Sequence, residues 1–182
     1  VRVLGNKTIV TNGDQTDTIL DSLEEGKTFE DALMKRTYEP DAPSFTPRIS
    51  MIMNSDSYSL SIIRRKDEKP ERLIWTYGAF NGICHTIHTY DEGGDPLPSF
   101  SSSPVPLYLP DSFEEFRDTL WNSLDKDNRI SLYVSWGGKE EVINANEGGR
   151  TDKIELKYGL NPNQKPASIS IEGKLPVTVL NG

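Results

Sequence analysis

The architecture of this chain follows from one alternating stretch, ISMIMNSDSYSLSI at residues 49–62. Large apolar residues recur with a period of two on both sides of the polar triplet at 54–56: Ile49, Met51 and Met53 before it, and Tyr58, Leu60 and Ile62 after it. A period of two is typical of a β-strand with one face on a core. Asn, Ser and Asp favour turns, so the stretch predicts an antiparallel hairpin with one buried face.

A proline-rich connector, YEPDAPSFTPR at 38–48, leads into this hairpin. Its three prolines fix the backbone angle φ and disfavour helix, which predicts a stiff, exposed link between a helix and a strand. The connector also carries carboxylates, a phenol and a guanidinium, and loops held by rigid elements often supply binding or catalytic groups. A plain solvated linker would have the same composition, and this alternative stays open.

Helices are predicted upstream and downstream of the hairpin. The first contains Ile19, Leu20 and Leu23 on one face and ends at Gly26. Thr28 is suited to cap a second helix over 29–36. Downstream, Ser112 and Glu115 form a capping box for a third helix, whose apolar stripe consists of Phe113, Phe116, Leu120 and Leu124.

Further strands surround these helices. We predict a hairpin over 1–10 and further strands over 73–80 (covered on both sides), 83–90, 130–136, 154–158, 167–171 and 175–180. Residues 91–110 contain two glycines and five prolines and are expected to be mostly irregular. Strands arranged as hairpins favour an α+β fold with antiparallel sheets over an alternating parallel fold. Leu60 and Leu132 are expected in one shared core below the Ser112 helix.

Size and charge limit the classes of protein to which this chain can belong. A chain of 182 residues is expected to form a single domain, 1–182. Its 28 Asp and Glu against 20 Lys and Arg give a net charge of −8, which disfavours nucleic acid and anionic membranes as partners. Cys84 is the only cysteine, so no internal disulfide can form, and a reducing, cytoplasmic location is expected.

A second polar group, Asn12-Gly13-Asp14-Gln15-Thr16-Asp17, stands where a strand passes into a helix. Free N–H groups at a helix start could hold an anion or a developing oxyanion there. The alternative is an ordinary turn at Asn12-Gly13 followed by Thr16 or Asp17 as the N-cap.

In the connector, the planar guanidinium of Arg48 suits a phosphate or a carboxylate. Alternatively, Arg48 forms a surface ion pair with Asp41 or Glu39, which would contribute little to stability. Glu39 could act as a general acid or base if it is partly buried, although most carboxylates are simply exposed.

The run Cys84-His85-Thr86-Ile87-His88 suggests a metal site, but strand geometry argues against one. In a strand His85 and His88 point to opposite faces, and Cys84 and His88 lie about 13 Å apart. We therefore expect no bound metal, Cys84 in the core, and one histidine lining a pocket or satisfying a buried hydrogen bond.

Several motifs, in this order and spacing, resemble the archaeal-type IMP cyclohydrolase family and its bacterial relatives. They are Val-Arg-Val at 1–3, Thr-Asn-Gly-x-x-x-Asp-x-Ile at 11–19, Tyr-Glu-x-Asp at 38–41 and Thr-Pro-Arg-Ile at 46–49. Three further motifs resemble the bacterial branch of the family: His-Thr-Tyr at 88–90, Pro-Leu-Pro-Ser-Phe at 96–100 and Phe-x-x-x-x-Trp-Asn-Ser-Leu at 116–124.

The resemblance implies an Ntn-hydrolase-like fold, a four-layer αββα sandwich of antiparallel sheets. It implies closure of 5-formamidoimidazole-4-carboxamide ribotide, a purine ribotide, to IMP with loss of water, without a cofactor. The implied catalytic residues are Glu39, Tyr38 and Asn12. The implied substrate-binding residues are Arg48, Arg2, Asp17 and His88.

Other interpretations of function remain. The scaffold could serve as a non-catalytic nucleotide-binding domain, or as an Ntn-type amidohydrolase whose N-terminal nucleophile lies upstream. Members of the resembled family carry a segment before Val-Arg-Val, and we expect that segment to be missing from this sequence. The oligomeric state stays open between a monomer and a homo-oligomer.

Overall fold

A computed structural model describes residues 1–127 and 129–145, and its centre is a five-stranded antiparallel sheet. The strands follow one another in chain order: β1 (Arg2–Leu4), β2 (Lys7–Thr11), β3 (Arg48–Met53), β4 (Ser57–Lys66) and β5 (Lys69–Gly78). In the central hairpin, Met53 lies opposite Tyr58 and Arg48 lies opposite Ile63. The hairpin and the turn at 54–56 predicted from the sequence are therefore confirmed.

Two helices, α1 (Gln15–Glu24) and α2 (Phe29–Met34), are inserted between β2 and β3. Gly26, with φ of +75°, closes α1: its N–H donates to the Leu23 carbonyl and that of Lys27 to the Ser22 carbonyl. Thr28 caps α2 as predicted, through a capping box with Asp31.

The start of α1 differs from the prediction. The helix begins at Gln15, and its N-cap is Asp14 rather than Thr16 or Asp17. The Asp14 side chain makes no cap hydrogen bond, because its carboxylate is bound by arginines instead.

Both faces of the sheet are buried, whereas the sequence predicted one. One face contributes to the helix-side core, formed by Ile9, Ile19, Phe29, Ala32, Leu33, Ile52 and Ile63. The other contributes to the opposite core, formed by Ile49, Met51, Tyr58, Leu60, Ile62, Ile87 and Phe100. The alternating serines indicated an exposed face, but Ser50 and Ser61 are small enough to be buried on the helix-covered face.

At the edge of the sheet, β5 packs against both cores but stays half-buried. Leu73 and Trp75 contact the opposite core and Ile74 contacts the helix-side core. The prediction of a strand covered on both sides is confirmed, although β5 spans Lys69–Gly78 rather than 73–80. Its side chains are half-buried because β5 is the edge strand of the sheet formed by the described residues. Arg72 of β5 donates its Nε to the Leu33 carbonyl at 2.9 Å, which ties the end of α2 to the sheet.

The remaining described elements form two small units. The strands β6 (Ile83–Thr86) and β7 (Val105–Tyr108) pair antiparallel, as do β8 (Ser131–Trp136) and β9 (Lys139–Asn144). Helix α3 (Phe113–Ser123) begins after Ser112, whose Oγ accepts the Glu115 N–H at 3.2 Å. Ser112 is the N-cap as predicted, but Glu115 does not make the return bond of a capping box. The edge-on contact of Phe116 with Trp136 joins α3 to β8.

Two predictions in this part were wrong. The strand expected over 83–90 ends at Thr86. Among the described residues, neither core includes a residue of β8, so Leu60 and Leu132 do not share a core. Packing between distant segments, which local periodicity does not encode, decides both. The stretch 91–110 is mostly irregular, as predicted, and contains the short strand β7.

The described elements make an α+β fold with antiparallel sheets. No helix in residues 1–127 or 129–145 has the length and apolar character needed to cross a membrane. The strands predicted at 154–158, 167–171 and 175–180 lie outside the described residues.

We predict that Leu60→Ala lowers the free energy of unfolding by about 2–5 kcal/mol, because it opens a cavity in the fully buried opposite core. Exposed Met34 provides the control: Met34→Ala should change stability by less than about 0.5 kcal/mol. Urea denaturation of both variants measures the effect. Equal stabilities would contradict the assignment of Leu60 to the core.

Candidate functional site

The candidate site lies where the start of α1, the connector and the first residue of β3 meet. Arg48 shares its sheet face with Ile52, two pleats along, and this face is the one covered by the helices. The connector returns on itself, since the Glu39 N–H donates to the Thr46 carbonyl at 2.9 Å. Glu39 and Arg48 are thereby brought to the same end of the sheet.

The guanidinium of Arg48 is the centre of this site. Its side chain is only 7% exposed. Nη1 and Nη2 bind the two Glu39 carboxylate oxygens at 2.7 and 2.9 Å, a bidentate pair. Nη1 also donates to Gln15 Oε1 at 3.0 Å and binds the Asp14 carboxylate, and Nε donates to the Thr37 carbonyl at 2.9 Å. We call Arg48 with Asp14, Gln15, Arg36 and Glu39 the Arg48 cluster.

Arg36 completes the charges of the cluster. Its Nη2 donates to the Asp14 carboxylate at 2.8 Å and to the Asp14 carbonyl at 3.0 Å. Burial alone would raise the pKa of Asp14, but hydrogen bonds from Arg36 and Arg48 outweigh this and hold the pKa below its ordinary value. Two guanidinium groups therefore face two carboxylates, and the cluster is close to neutral.

Asn12 links the end of β2 to the start of β3. Its Oδ1 accepts the Ile49 N–H and a Gln15 Nε2–H, both at 3.0 Å. Its Nδ2 donates to the Pro47 carbonyl at 2.9 Å and, more weakly, to Thr89 Oγ1 at 3.5 Å. Because both ends of the amide are engaged with protein groups, the geometry favours a structural role for Asn12 over donation to an oxyanion.

Gly13 allows the backbone to approach the cluster closely. A Cβ placed on it would lie 2.7 Å from Gln15 Oε1, 3.1 Å from Arg48 Nη1 and 3.2 Å from Glu39 Oε1. The first of these distances is too short for any side chain. The Asn12-Gly13 pair is thus more than a turn, since the missing side chain makes room for the cluster.

Four other predicted site residues make their contacts away from the Arg48 cluster. The Tyr38 hydroxyl donates to the Glu68 carbonyl at 3.4 Å, and its ring packs edge-on against Phe45. Arg2 pairs with Asp17 at 3.1 Å. The ring of His88 packs beside Phe100. Of the seven, the structure joins Asn12, Glu39 and Arg48 in one network, with Gln15 as the link.

The structure adds Gln15, Thr89 and Tyr90, which the sequence did not single out. The Tyr90 hydroxyl bonds Thr46 Oγ1 at 2.7 Å, and Thr46 in turn donates to the Asp41 carboxylate at 2.5 Å. Tyr90 is therefore the tyrosine whose hydroxyl bonds the connector, at Thr46. The available signal was the resemblance of His-Thr-Tyr at 88–90 to the bacterial branch.

His85 makes a separate polar contact on β6. Its Nδ1 lies 2.6 Å from the Tyr58 hydroxyl and its ring stacks on Tyr77. Burial lowers the pKa of His85 and raises that of Tyr58 to about 12, and the two side chains share one hydrogen bond. Cys84 is buried, with a pKa raised to about 11 by desolvation. The expectations of a core cysteine and of a histidine in a buried hydrogen bond are confirmed.

In the part of the chain that the structure describes, no cluster of three or more His, Cys, Asp or Glu side chains is placed to hold a metal ion. The Arg48 cluster can instead do two things chemically. It can present a fixed, partly exposed carboxylate at Glu39, and it can offer the N-terminal end of α1 to negative charge.

A model of the IMP cyclohydrolase-like protein family matches residues 1–141. The chain belongs to this family. The match includes every residue of the Arg48 cluster and both motifs that converge on it, 11–19 and 38–49. Membership of the IMP cyclohydrolase-like family suggests a hydrolase-type enzyme.

We predict that Gly13→Ala lowers the free energy of unfolding by about 1–3 kcal/mol, because the new methyl group forces Gln15 away from Arg48. Gly93, where an added Cβ meets nothing within 4 Å, provides the control. Chemical denaturation of Gly13→Ala and Gly93→Ala should separate them. Equal stabilities would show that the cluster tolerates the methyl group.

The lowered pKa of Asp14 predicts that the stability of the fold depends on pH. A lowered folded-state pKa means that Asp14 stabilises the fold above about pH 4 and that this contribution is lost as the pH falls through its folded-state pKa. The stability difference between wild type and Asp14→Asn should therefore be present at neutral pH and disappear towards pH 2. It should be small, since the carboxylate is 65% exposed. Urea denaturation across this range measures it, and a difference that grows on acidification would contradict it.

Proposed function

We propose that this chain is an IMP cyclohydrolase that closes 5-formamidoimidazole-4-carboxamide ribotide to IMP with release of water. The observation that carries the proposal is the Glu39 carboxylate, held by both terminal nitrogens of Arg48 and still 32% exposed, in a chain of the IMP cyclohydrolase-like family. A fixed and accessible carboxylate is what a proton-transfer step requires.

The reaction needs two proton transfers. The carboxamide nitrogen attacks the formyl carbon, and this nitrogen loses a proton as the carbon–nitrogen bond forms. The former formyl oxygen takes up this proton. The formamido nitrogen then gives up its own proton and forms the carbon–nitrogen double bond, while the carbon–oxygen bond breaks and the oxygen leaves as water with both protons. In the proposed mechanism Glu39 accepts the proton from nitrogen and returns it to the leaving oxygen. As written, the reaction consumes no oxidant or reductant and needs no cofactor.

Arg48 has the role of orienting Glu39 in this proposal. The sequence left open whether Arg48 holds the substrate phosphate or orients Glu39. Its Nε and both of its terminal nitrogens already bind protein groups. The Arg48 side chain is only 7% exposed and so offers little surface to a phosphate, whereas orienting Glu39 requires no rearrangement. Its burial and its existing bonds therefore favour the orienting role.

The helix start is the candidate for stabilising the oxygen. Negative charge on the former formyl oxygen would be favoured by the N-terminal dipole of α1, beside Gly13. Asn12 supports this end of the helix through Gln15. Arg2, Asp17 and His88 stay proposed substrate contacts and Tyr38 stays a proposed proton carrier. The ribotide would have to approach these four residues from outside the cluster.

The wider assignment follows from the same family. We infer an Ntn-hydrolase-like, four-layer αββα arrangement for the complete fold, with the purine ribotide as the partner and a cytoplasmic location. Support comes from the family match over 1–141 and the antiparallel α+β architecture of the described residues.

We predict that Glu39→Gln lowers turnover of the formamido ribotide on the order of 10²–10⁴-fold, because the amide keeps the shape of the side chain and removes the proton carrier. Glu68→Gln is the matched control, since Glu68 is exposed and only its backbone carbonyl contacts Tyr38. Steady-state kinetics on the full-length protein measures both variants.

Two outcomes of this experiment would contradict the proposal. Wild-type turnover in Glu39→Gln would remove Glu39 from the mechanism. Ribotide binding without turnover in the wild-type protein would favour the non-catalytic nucleotide-binding domain.

A further inference from the structure

The geometry points to Gln15 as a positioning residue that fixes Arg48 and Asn12 relative to each other through a single side-chain amide. Its expected effect on turnover rests on the proposed function, whereas its effect on Arg48 does not. Gln15 touches neither Glu39 nor an open surface in the described hydrogen-bond network, so it acts through its partners.

The oxygen and the nitrogen of the Gln15 amide bind different partners. Oε1 accepts from Arg48 Nη1 at 3.0 Å. Nε2 donates to Asn12 Oδ1 and to the Ile49 carbonyl, both at 3.0 Å. Rotating the amide by 180° would put oxygen against two acceptors and nitrogen against a guanidinium, so the surroundings allow one orientation.

Packing alone does not explain a glutamine at this position. Gln15, Ile19 and Ser22 are the buried residues of α1 and lie on its inner face. Ile19 shows that an apolar side chain fits this face. A fully buried amide is unfavourable unless its hydrogen bonds are made, and Gln15 makes them with the start of β3 and with Arg48.

The consequence for the site is a fixed guanidinium plane. Arg48 Nη1 is shared among Asp14, Gln15 and Glu39, and Gln15 is its only uncharged side-chain partner among the described residues. Because Gln15 Oε1 is a neutral acceptor, it holds the guanidinium in place without taking the place of a carboxylate as its ionic partner. Without it, Nη1 would be held by the carboxylates alone, and the bidentate pair with Glu39 would lose its fixed direction.

The test uses two substitutions of Gln15 and one control in the full-length protein. Gln15→Met keeps the length of the side chain and removes all its hydrogen bonds. Gln15→Glu keeps an acceptor for Arg48, removes the donor to Asn12 and adds a charge that competes with Glu39. Ser22→Ala is the control, because Ser22 is equally buried on the same helix and its hydroxyl bonds only Lys35 among the described residues.

For Gln15→Met we expect kcat to fall on the order of 10- to 100-fold with KM nearly unchanged, because Glu39 is misplaced while the substrate contacts remain. For Gln15→Glu we expect the acidic limb of the kcat/KM pH profile to move to higher pH, because the added negative charge disfavours an ionised Glu39. Ser22→Ala should lose stability only. Wild-type kcat and an unmoved pH profile in folded Gln15 variants would overturn the inference.

A second measurement separates this inference from the proposed function. Hydrogen exchange at Arg48 Nε–H, followed by NMR without substrate, should be slow in the wild type and in Ser22→Ala and faster in Gln15→Met. If the wild type shows no turnover, the proposed function fails, and this measurement alone decides the role of Gln15. Equal exchange in the wild type and Gln15→Met would then overturn it.

Discussion

The structure depends on the need to pair one buried guanidinium. Arg48 is almost fully removed from water, and a buried charge is tolerated only where opposite charge and hydrogen-bond acceptors surround it. Those acceptors come from the helix start at Asp14 and Gln15, from Thr37 just before the connector, and from Glu39 within it. Separate segments must therefore close around Arg48 before its burial becomes favourable, and this couples the connector to the sheet.

The two carboxylates of the cluster do not contribute equally. Asp14 is largely solvated, so its pair with Arg48 belongs with surface ion pairs of about 0–1 kcal/mol. Glu39 is half as exposed and binds in bidentate geometry, which makes it the stronger partner. The same arrangement serves stability and the proposed chemistry, because the arginine that Glu39 helps to bury also keeps the carboxylate in one place.

Local sequence signals predicted the elements of this fold well. The hairpin at 49–62, the caps at Thr28 and Ser112 and the helix end at Gly26 depend on residues close in sequence, and the structure has them all. The burial of Ser50 and Ser61 was missed because a small polar residue looks the same in sequence whether water or a helix covers it. The end of the 83–90 strand was missed because tertiary packing decides it.

The site was predictable in part for the same reason. The two polar groups at 12–17 and 38–48 flank the helix pair, and in the structure their residues Asn12, Glu39 and Arg48 lie in one network. The direction of Tyr38 did not follow, since its ring is held by Phe45 and its hydroxyl by the β4–β5 turn. Gln15 carried a signal in its helical spacing with Ile19 and Ser22, but a polar residue at such a position is easily taken for an exposed one.

In the proposed mechanism Arg48 orients Glu39, and Glu39 exchanges protons with the substrate. A crystal structure of the full-length protein with IMP bound tests both roles. We expect the ring nitrogen derived from the carboxamide to lie within hydrogen-bond distance of the Glu39 carboxylate, while Arg48 keeps its bonds to Glu39 and Gln15. A phosphate seated on Arg48 with Glu39 displaced, or IMP bound away from Glu39, would contradict it.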